Sequence, residues 1–192
     1  MFILASQSPR RRELLSMLGL TFEIVTADID ETMDPSLPVE EAVAQVCARK
    51  ARAVAERCPG QLIVAADTIV VVEGKVLGKP HSEAEAFSML RSLSGRSHTV
   101  MTAFCLYRDG VCESHVEKTD LRFKPLSDEE ILAYIATGSP MDKAGAYGIQ
   151  DGAAVFVEAL QGDYYNVMGL PLCALVKCLR RCGVPVLGTV KP

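Results

Sequence analysis

The sequence predicts an α/β or α+β architecture around a mixed sheet, and three observations support this. Short apolar segments of strand length alternate with segments of helical periodicity through the first half of the chain. The pair Asp109-Gly110 then separates two long strand-like segments, which is a strong hairpin signal. Aromatic residues make up only 6% of the sequence and Trp is absent, so small aliphatic side chains must fill the core. This composition suits a mixed α/β protein better than an all-β sandwich.

In the first half of the chain, apolar runs predict strands and capping signals delimit the helices between them. Ser8 is suited to be the N-cap of a helix that begins at Pro9, and Gly19 follows that helix. The longest apolar run is interrupted only by Asp67 and Thr68, which predicts a central buried strand. The predicted strands cover residues 2–5, 21–25, 62–72 and 75–77, and the predicted helices cover residues 9–18 and 39–57.

The second half of the chain continues with a helix, the hairpin and two further helices. Ser127 and Glu130 have the spacing of a capping box, which marks the start of one of these helices. The predicted helices cover residues 82–93, 127–136 and 170–181, and the predicted strands cover residues 99–107, 111–123 and 153–159.

Length and charge restrict the class of protein. The 192 residues fit one domain, which we expect to span residues 1–192. The net charge is −4 and no long basic run is present, which argues against a stable nucleic-acid partner, because such binding depends on clustered Lys and Arg. A small anionic ligand needs only a few cationic side chains. No leader resembles a signal peptide and no apolar run approaches a membrane span, so we expect a cytoplasmic protein without membrane association.

The cysteines give a second indication of the compartment. Seven are present at irregular spacings, without a C-x-x-C pair. Cys173, Cys178 and Cys182 suggest a metal site, but they fall in the apolar pattern of the last predicted helix. We therefore expect reduced, buried thiols, as is typical of proteins in a reducing cytosol.

A first candidate site lies at the start of the first predicted helix, where Ser6 and Ser8 precede Arg10, Arg11 and Arg12. Cations at a helix N-terminus are unfavourable by roughly a few tenths of a kcal/mol or more, because that end carries partial positive charge. A bound anion would explain the pattern, since backbone N–H groups, hydroxyls and guanidinium groups would converge on a phosphate. A solvated basic turn paired with surface acids explains it equally well.

A second candidate is Asp67, which interrupts an apolar strand. A carboxylate there is costly unless it is paired, hydrogen-bonded or bound to a metal, which favours a metal ligand or a general base. The alternative is an Asp that caps the strand end. Glu31 belongs to an acidic cluster in the loop after the second predicted strand, and such a loop is by itself usually only exposed.

Lysines and one glutamine complete the candidate set. Lys50 lies in the middle of the second predicted helix, and a turn at residues 73–74 would bring Lys79 back near Asp67. Each lysine alone is typical of a solvated surface, but with the carboxylates they match a metal–phosphate site. Gln150 ends a loop rich in small residues, and its amide suits the edge of a nucleotide base. A plain flexible loop is the default alternative.

Taken in order, these motifs resemble the Maf nucleotide pyrophosphatases. The resemblance runs from Ile3 to about Arg181, and although each motif is weak alone, the ordered set is highly specific. The motifs that carry it are Ser6-x-Ser8-Pro9-Arg10-Arg11, Glu31, Lys50, Ala66-Asp67-Thr68, Gly78-Lys79-Pro80, Lys143-Ala144-Gly145-x-Tyr147-Gly148-x-Gln150 and Gly169-Leu170-Pro171.

The resemblance implies a fold and an activity. The implied fold is α/β, with a mixed, bent sheet, flanking helices and two lobes around a central groove. The implied activity is hydrolysis of a nucleoside triphosphate to the monophosphate and pyrophosphate with a divalent cation, Mg²⁺ or Mn²⁺. Such an enzyme would remove unwanted pyrimidine nucleotides from the nucleotide pool, and the family makes a homodimer plausible.

The resemblance also implies roles for individual residues. Asp67 corresponds to the proton acceptor and, with Glu31, would hold the metal. Arg10, Thr68 and Gln150 together resemble the dTTP/UTP pyrophosphatase subgroup, with Gln150 reading the base. The residues expected to bind or neutralise the phosphates are Ser6, Ser8, Arg10, Arg11, Lys50 and Lys79.

Two alternatives from other functional classes are compatible with the sequence. The family has been linked to arrest of cell division, so the chain could be a nucleotide-binding regulator of septum formation that does not need turnover. It could also be a pyrophosphatase for ITP or XTP, although Arg10, Thr68 and Gln150 argue against that by resemblance.

Overall fold

The computed structural model describes residues 1–188 and confirms an α/β fold with a mixed sheet. The strands are β1 (Phe2–Ala5), β2 (Phe22–Ile24), β3 (Ile63–Val72), β4 (Lys75–Leu77), β5 (Ser97–Arg108), β6 (Val111–Phe123) and β7 (Val157–Gln161), and the helices are α1 (Pro9–Met17), α2 (Val39–Ala55), α3 (Glu83–Leu93), α4 (Asp128–Ile135), α5 (Tyr164–Met168) and α6 (Leu172–Arg181). The sheet has the strand order β2-β1-β3-β5-β6-β7, and β4 pairs with β3. None of the helices within these residues is long and apolar enough to cross a membrane.

The chain forms two compact units. The first consists of Met1–Asp67, Thr102–Glu117 and the described residues from Gly169 onward, and the second consists of Thr68–Met101 and Lys118–Met168. The change from the first unit to the second falls within β3, between Asp67 and Thr68. That residues 1–192 act as a single domain stays a prediction, and residues 189–192 of that domain lie outside the described residues.

In the first unit, β1 pairs in parallel with both β2 and β3, and all four of its residues are buried. The helix α2 is amphipathic, with an apolar stripe at the spacing of helical turns. Its buried residues are Ala42, Val43, Val46, Cys47, Lys50, Ala51 and Val54. Lys50 is therefore a charged residue at a core-facing position of α2, and its ammonium needs a partner in the interior.

In the second unit, β4 folds back antiparallel on β3, so that Val70 lies opposite Leu77. β6 pairs antiparallel with β7. The core of this unit collects side chains from α3, α4 and the sheet, among them Leu90 and Phe123. The predicted capping box at the start of α4 is confirmed, because Ser127 accepts a hydrogen bond from the backbone of Glu130 and the reciprocal bond is also present.

The predicted hairpin is confirmed, and it contains a feature that was not expected. Asp109 and Gly110 both have positive φ, 49° and 85°, as a tight hairpin turn requires. Cys105 and Cys112, on either side of the turn, form a disulfide with Cα atoms 6.4 Å apart. The expectation of seven reduced thiols is therefore wrong for this pair, because the turn places the two strands within bridging distance. The free cysteines are Cys47, Cys58, Cys173, Cys178 and Cys182.

The prediction of one strand over residues 153–159 is wrong in its first half. Gly152–Phe156 forms a 3₁₀ helix, and β7 begins only at Val157. The Asp151 carboxylate accepts a hydrogen bond from the Ala153 N–H, which caps the 3₁₀ turn. This polar cap overrides the apolar composition of the segment. The short helix α5 also lies where no element was predicted.

Candidate active site

Lys50 joins two predicted carboxylates in the first unit. Its Nζ lies 2.7 Å from Oδ1 of Asp67 and 2.9 Å from Oε2 of Glu31. Lys50 belongs to the apolar stripe of α2 and faces inward. Asp67 is the last residue of β3 that belongs to the first unit. Lys50 therefore lies within ion-pair distance of two other residues that the sequence singled out.

Burial decides how strongly these charges interact. The side chains of Lys50 and Asp67 are only 10% and 16% exposed, whereas that of Glu31 is 54% exposed. A charge pair that is largely removed from water interacts more strongly than an exposed one, and breaking it leaves an uncompensated charge. Lys50 and Asp67 thus form the fixed part of the cluster, and water screens the contribution of Glu31.

The same carboxylates are suited to a divalent cation. Glu31 and Asp67 converge on a single cationic group, the Lys50 ammonium, so their oxygens are arranged around positive charge. Mg²⁺ typically binds to one or two protein carboxylates and takes its other ligands from water and substrate phosphates. Within residues 1–188, no group of three or more His, Cys, Asp or Glu side chains has the geometry of a complete metal site. The two carboxylates fit a metal that the substrate helps to bind.

Arg11 is buried behind this cluster and makes long-range hydrogen bonds. Its Nε donates to the Gly169 carbonyl at 2.7 Å, and its Nη1 donates to the Ala66 carbonyl at 2.8 Å and to Ser6 Oγ at 3.1 Å. Burial lowers the pKa of the Arg11 guanidinium, and the nearby Asp67 carboxylate acts in the opposite direction. Arg11 therefore holds the residue before Asp67 and the start of the Gly169-Leu170-Pro171 segment in place.

The start of α1 presents the other predicted phosphate-binding residues. Ser8 is the N-cap residue, yet its side chain makes no capping hydrogen bond, and α1 has no acidic residue in its first turn. The Ser8 N–H instead donates to Ser6 Oγ at 3.2 Å. Arg10 is half-buried. A helix start with a free hydroxyl and without an acidic residue has the character of an anion site.

Thr68, Lys79 and Gln150 belong to the second unit. The Gly145 N–H donates to the Gly78 carbonyl at 2.9 Å, which brings the loop that ends at Gln150 beside the Gly78-Lys79-Pro80 segment. Lys79 and Gln150 are exposed, and Thr68 is half-buried. In the described part of the chain, the Gln150 side chain has no hydrogen-bond partner. Its amide is therefore available to a ligand.

Glycine is required at position 145. Its φ is +69°, and a Cβ added there would lie 2.8 Å from Cγ2 of Val70 on β3. Real Cβ atoms do not approach other heavy atoms so closely, so the loop can lie against β3 only with glycine at this point. The sequence motif around Gly145 is thus explained by packing of the loop on the strand that also carries Thr68.

Cys47 is a neighbour of the cluster that the sequence did not identify. It lies on the apolar stripe of α2, one turn before Lys50. Burial, and next the charge of Asp67, raise the pKa of the Cys47 thiol to about 12. The thiol therefore stays protonated, packs as a small apolar side chain beside the charges, and is not a nucleophile. Its place in the α2 stripe is the sequence signal that could have revealed it.

Comparisons with known proteins identify relatives of this chain. The family described as "Maf-like protein" matches residues 1–182. A protein of Geotalea uraniireducens named "dTTP/UTP pyrophosphatase" is 52% identical over 184 residues, which cover 94% of each chain. A protein of Symbiobacterium thermophilum with the same name is 51% identical and covers 96% of this chain and 95% of its own. Among solved structures, a HAM1 protein from Coxiella burnetii aligns with 81% of this chain and 91% of its own, with a TM-score of 0.48 and 18% identity.

Proposed function

The chain belongs to the Maf-like protein family, and we propose that it hydrolyses dTTP and UTP to the corresponding monophosphates and pyrophosphate. The observation that carries this proposal is its similarity, over nearly its full length, to relatives that are named for this activity. The chain is therefore a hydrolase that cleaves between the α- and β-phosphates. Its role is to remove these nucleotides from the nucleotide pool.

Asp67 is the group that we assign to proton transfer. The attacking water must lose a proton as its oxygen bonds to the α-phosphorus, and a carboxylate can accept that proton. Lys50 binds one oxygen of Asp67, Oδ1, at 2.7 Å. Within residues 1–188 the other oxygen, Oδ2, has no hydrogen-bond partner, so it can face the water. The buried Lys50 ammonium fixes the orientation of the carboxylate.

Glu31 and Asp67 are the residues that would hold Mg²⁺ or Mn²⁺. Support comes from their convergence on the Lys50 ammonium, because carboxylates arranged around one positive charge also suit a hard divalent cation. A divalent cation bound there would neutralise charge on the triphosphate and activate water.

Phosphate binding is assigned to hydroxyl and cationic side chains. The Ser8 hydroxyl makes no capping bond and is free to donate to a phosphate oxygen at the start of α1. Arg10 and Lys79 would neutralise charge on the triphosphate oxygens. Arg11 would support this group through Ser6, to which it donates a hydrogen bond at 3.1 Å.

Recognition of the base is assigned to Gln150, with Thr68. The exposed Gln150 amide has a donor and an acceptor, which can pair with the N3–H and O4 of uracil or thymine. An amide held in the opposite orientation would favour cytosine, so the orientation of Gln150 determines the choice of base. Arg10 completes the set of residues that we assign to substrate selection.

The compartment and the partners are also part of the proposal. We place the activity in the cytoplasm, where the free nucleotide pool lies, with a nucleotide substrate as the partner. A homodimer, the absence of a nucleic-acid partner and a link to cell division stay predictions.

The test is pyrophosphate release from a panel of triphosphates with Mg²⁺, with Mn²⁺ and with a chelator. The panel contains dTTP, UTP, CTP, 5-methyl-UTP, 7-methyl-GTP, ITP and XTP. We expect dTTP and UTP to be the best substrates, the products to be monophosphate and pyrophosphate, and the chelator to abolish turnover. Preference for 7-methyl-GTP or for ITP would overturn the roles of Arg10, Thr68 and Gln150. No turnover of any nucleotide would leave a binding regulator as the better explanation.

A further inference from the structure

Asp151, the residue directly after Gln150, is the centre of a polar network in the second unit. Its Oδ1 accepts hydrogen bonds from the Tyr134 hydroxyl at 2.9 Å and from the Ala153 N–H at 3.0 Å. Its Oδ2 accepts from the Ser139 hydroxyl. Burial acts to raise the pKa of Asp151, but the hydrogen bonds from Ser139, Ala153 and Tyr134 outweigh it and hold this pKa below its usual value. Asp151 is thus held as an anion by its neighbours.

The network closes the loop that carries Gln150. Lys143, at the beginning of the loop, has its Nζ 3.5 Å from Oδ2 of Asp151, at the end of the loop. The same Nζ donates to the Ser139 carbonyl at 2.6 Å, and the Lys143 side chain is only 13% exposed. The two ends of the loop are therefore joined through partly buried charges, which limits the motion of residues 143–151.

The Tyr134 hydroxyl connects the residues on both sides of Gln150. It donates to Asp151, the residue after Gln150, and it accepts from the Gly148 N–H at 3.1 Å, two residues before Gln150. Tyr134 lies on α4, where its ring packs against Phe156 at a centroid distance of 5.5 Å. One rigid side chain therefore fixes the backbone on both sides of the glutamine.

Gly148 permits this close arrangement. A Cβ at position 148 would lie 2.6 Å from Oδ2 of Asp151 and 2.6 Å from Cε of Lys143. The backbone of the loop thus passes directly against the ion pair, and a Cβ at this position would displace the ends of the Asp151 and Lys143 side chains. The position of the Lys143–Asp151 ion pair and the path of the loop backbone therefore depend on each other.

We propose that Asp151, held by Tyr134 and Lys143, is a positioning residue that orients Gln150 and so sets the choice of nucleotide base. The proposal rests on the assignment of base recognition to Gln150 in the proposed function. If the loop were loose, the Gln150 side chain could approach the base from several directions, and its amide could then pair with cytosine as well as with uracil. A fixed backbone favours one orientation, so the network supplies discrimination without contacting the substrate.

The test compares Asp151→Ala and Tyr134→Phe with a matched control, Asp142→Asn. Asp142 binds the same Lys143 ammonium at 2.7 Å but is 56% exposed, so its variant removes a charge from Lys143 and leaves the Asp151 network in place. We expect each test variant to raise KM for UTP and dTTP about tenfold, with kcat nearly unchanged, and to reduce the preference for UTP over CTP. Asp142→Asn should keep both parameters.

A double variant separates positioning from a structural role. Gln150→Ala alone should abolish the preference for UTP over CTP, and adding Tyr134→Phe to it should change that preference no further, because both act through the same amide. Additive effects on selectivity, or wild-type selectivity in the folded Asp151 and Tyr134 variants, would overturn the proposal and leave the proposed function intact. Wild-type selectivity in Gln150→Ala would overturn the base assignment and this inference together.

A second measurement does not depend on turnover. Amide hydrogen exchange over residues 143–150 should become faster in Asp151→Ala and in Tyr134→Phe, and should stay unchanged in Asp142→Asn. Unchanged exchange in the two test variants would contradict the proposal whatever the enzyme hydrolyses.

Discussion

The Nζ of Lys50 lies 2.7 Å from Oδ1 of Asp67, in an ion pair that joins the inward face of α2 to β3. The two residues are 17 positions apart in the sequence. Both side chains are mostly removed from water, so neither charge can be deleted without leaving the other uncompensated. The same carboxylate is the group that we assign to proton transfer, so the pair links the stability of the first unit to its chemistry.

Lys50→Ala should damage both activity and stability. It removes the partner that orients Asp67 and leaves a carboxylate that is only 16% exposed without its cation. We expect kcat to fall by at least about 100-fold and the free energy of unfolding to fall by about 2 kcal/mol. Steady-state kinetics and denaturant unfolding measure the two effects. The control is Lys75→Ala, which changes an exposed lysine on β4 and should alter neither quantity. Equal behaviour of the two variants would contradict the role of Lys50.

Arg11→Lys should not be a conservative change. The Nε and Nη1 of Arg11 donate in different directions to the carbonyls of Gly169 and Ala66, which a single ammonium cannot reproduce. We expect a loss of about 3 kcal/mol of unfolding free energy, because buried acceptors lose charged donors. Thermal unfolding provides the measurement. Arg12→Lys, at the exposed neighbouring position, is the matched control and should unfold like the wild type.

Gly145→Ala should lower the free energy of unfolding by more than the strain of a left-handed backbone alone would. Gly138 has nearly the same φ, +72° against +69°, but a Cβ at Gly138 would meet nothing within 4 Å, whereas one at Gly145 would meet Val70 at 2.8 Å. Strain at positive φ costs about 1 kcal/mol, so Gly138→Ala should lose about that amount and Gly145→Ala distinctly more. Adding Val70→Ala should remove part of the excess cost. If both glycine variants lose the same stability, the contact with Val70 does not determine the packing of the loop.

His98 should make the second unit sensitive to acid. Burial lowers the pKa of His98 from 6.5 to about 4, and its Nε2 lies 2.8 Å from the Tyr147 hydroxyl. The unfolded chain binds this proton near pH 6.5, whereas the folded chain binds it only near pH 4. The unfolded state therefore takes up the proton first, and the free energy of unfolding falls as the pH decreases from 6.5 to 4. The contribution is on the order of 3 kcal/mol. Unfolding free energies measured from pH 7 to pH 4 should fall less steeply in His98→Gln than in the wild type, and parallel curves would contradict the assignment.

Local patterns were sufficient to predict most of the fold. The strands β1, β4 and β6 have the predicted bounds, because apolar runs, turns and the Asp109-Gly110 hairpin are short-range signals. The capping box of α4 is equally local. The prediction of a strand over the whole of residues 153–159 is wrong because the apolar composition does not reveal that Asp151 caps a 3₁₀ turn there.

The contacts of the candidate site were less predictable. The Gly169 carbonyl accepts from Arg11 across 158 positions, and no periodicity in the sequence encodes such a contact. The position of Lys50 on the apolar stripe of α2 is a signal that could have been read, since a lysine there must find a buried carboxylate. The network around Asp151 depends on how α4 packs against the loop 143–151, which follows only from tertiary structure.

We assign to Asp67 the proton transfer in the hydrolysis of dTTP and UTP. The most direct measurement is pyrophosphate release by Asp67→Asn and by the wild type, at equal concentration and with the same divalent cation. We expect the variant to keep its fold, because Asn is nearly isosteric with Asp. Circular dichroism of both proteins checks this. We predict a loss of at least about 100-fold in kcat, as expected when a general base is removed. Near-wild-type release of pyrophosphate by the folded variant would contradict this role of Asp67.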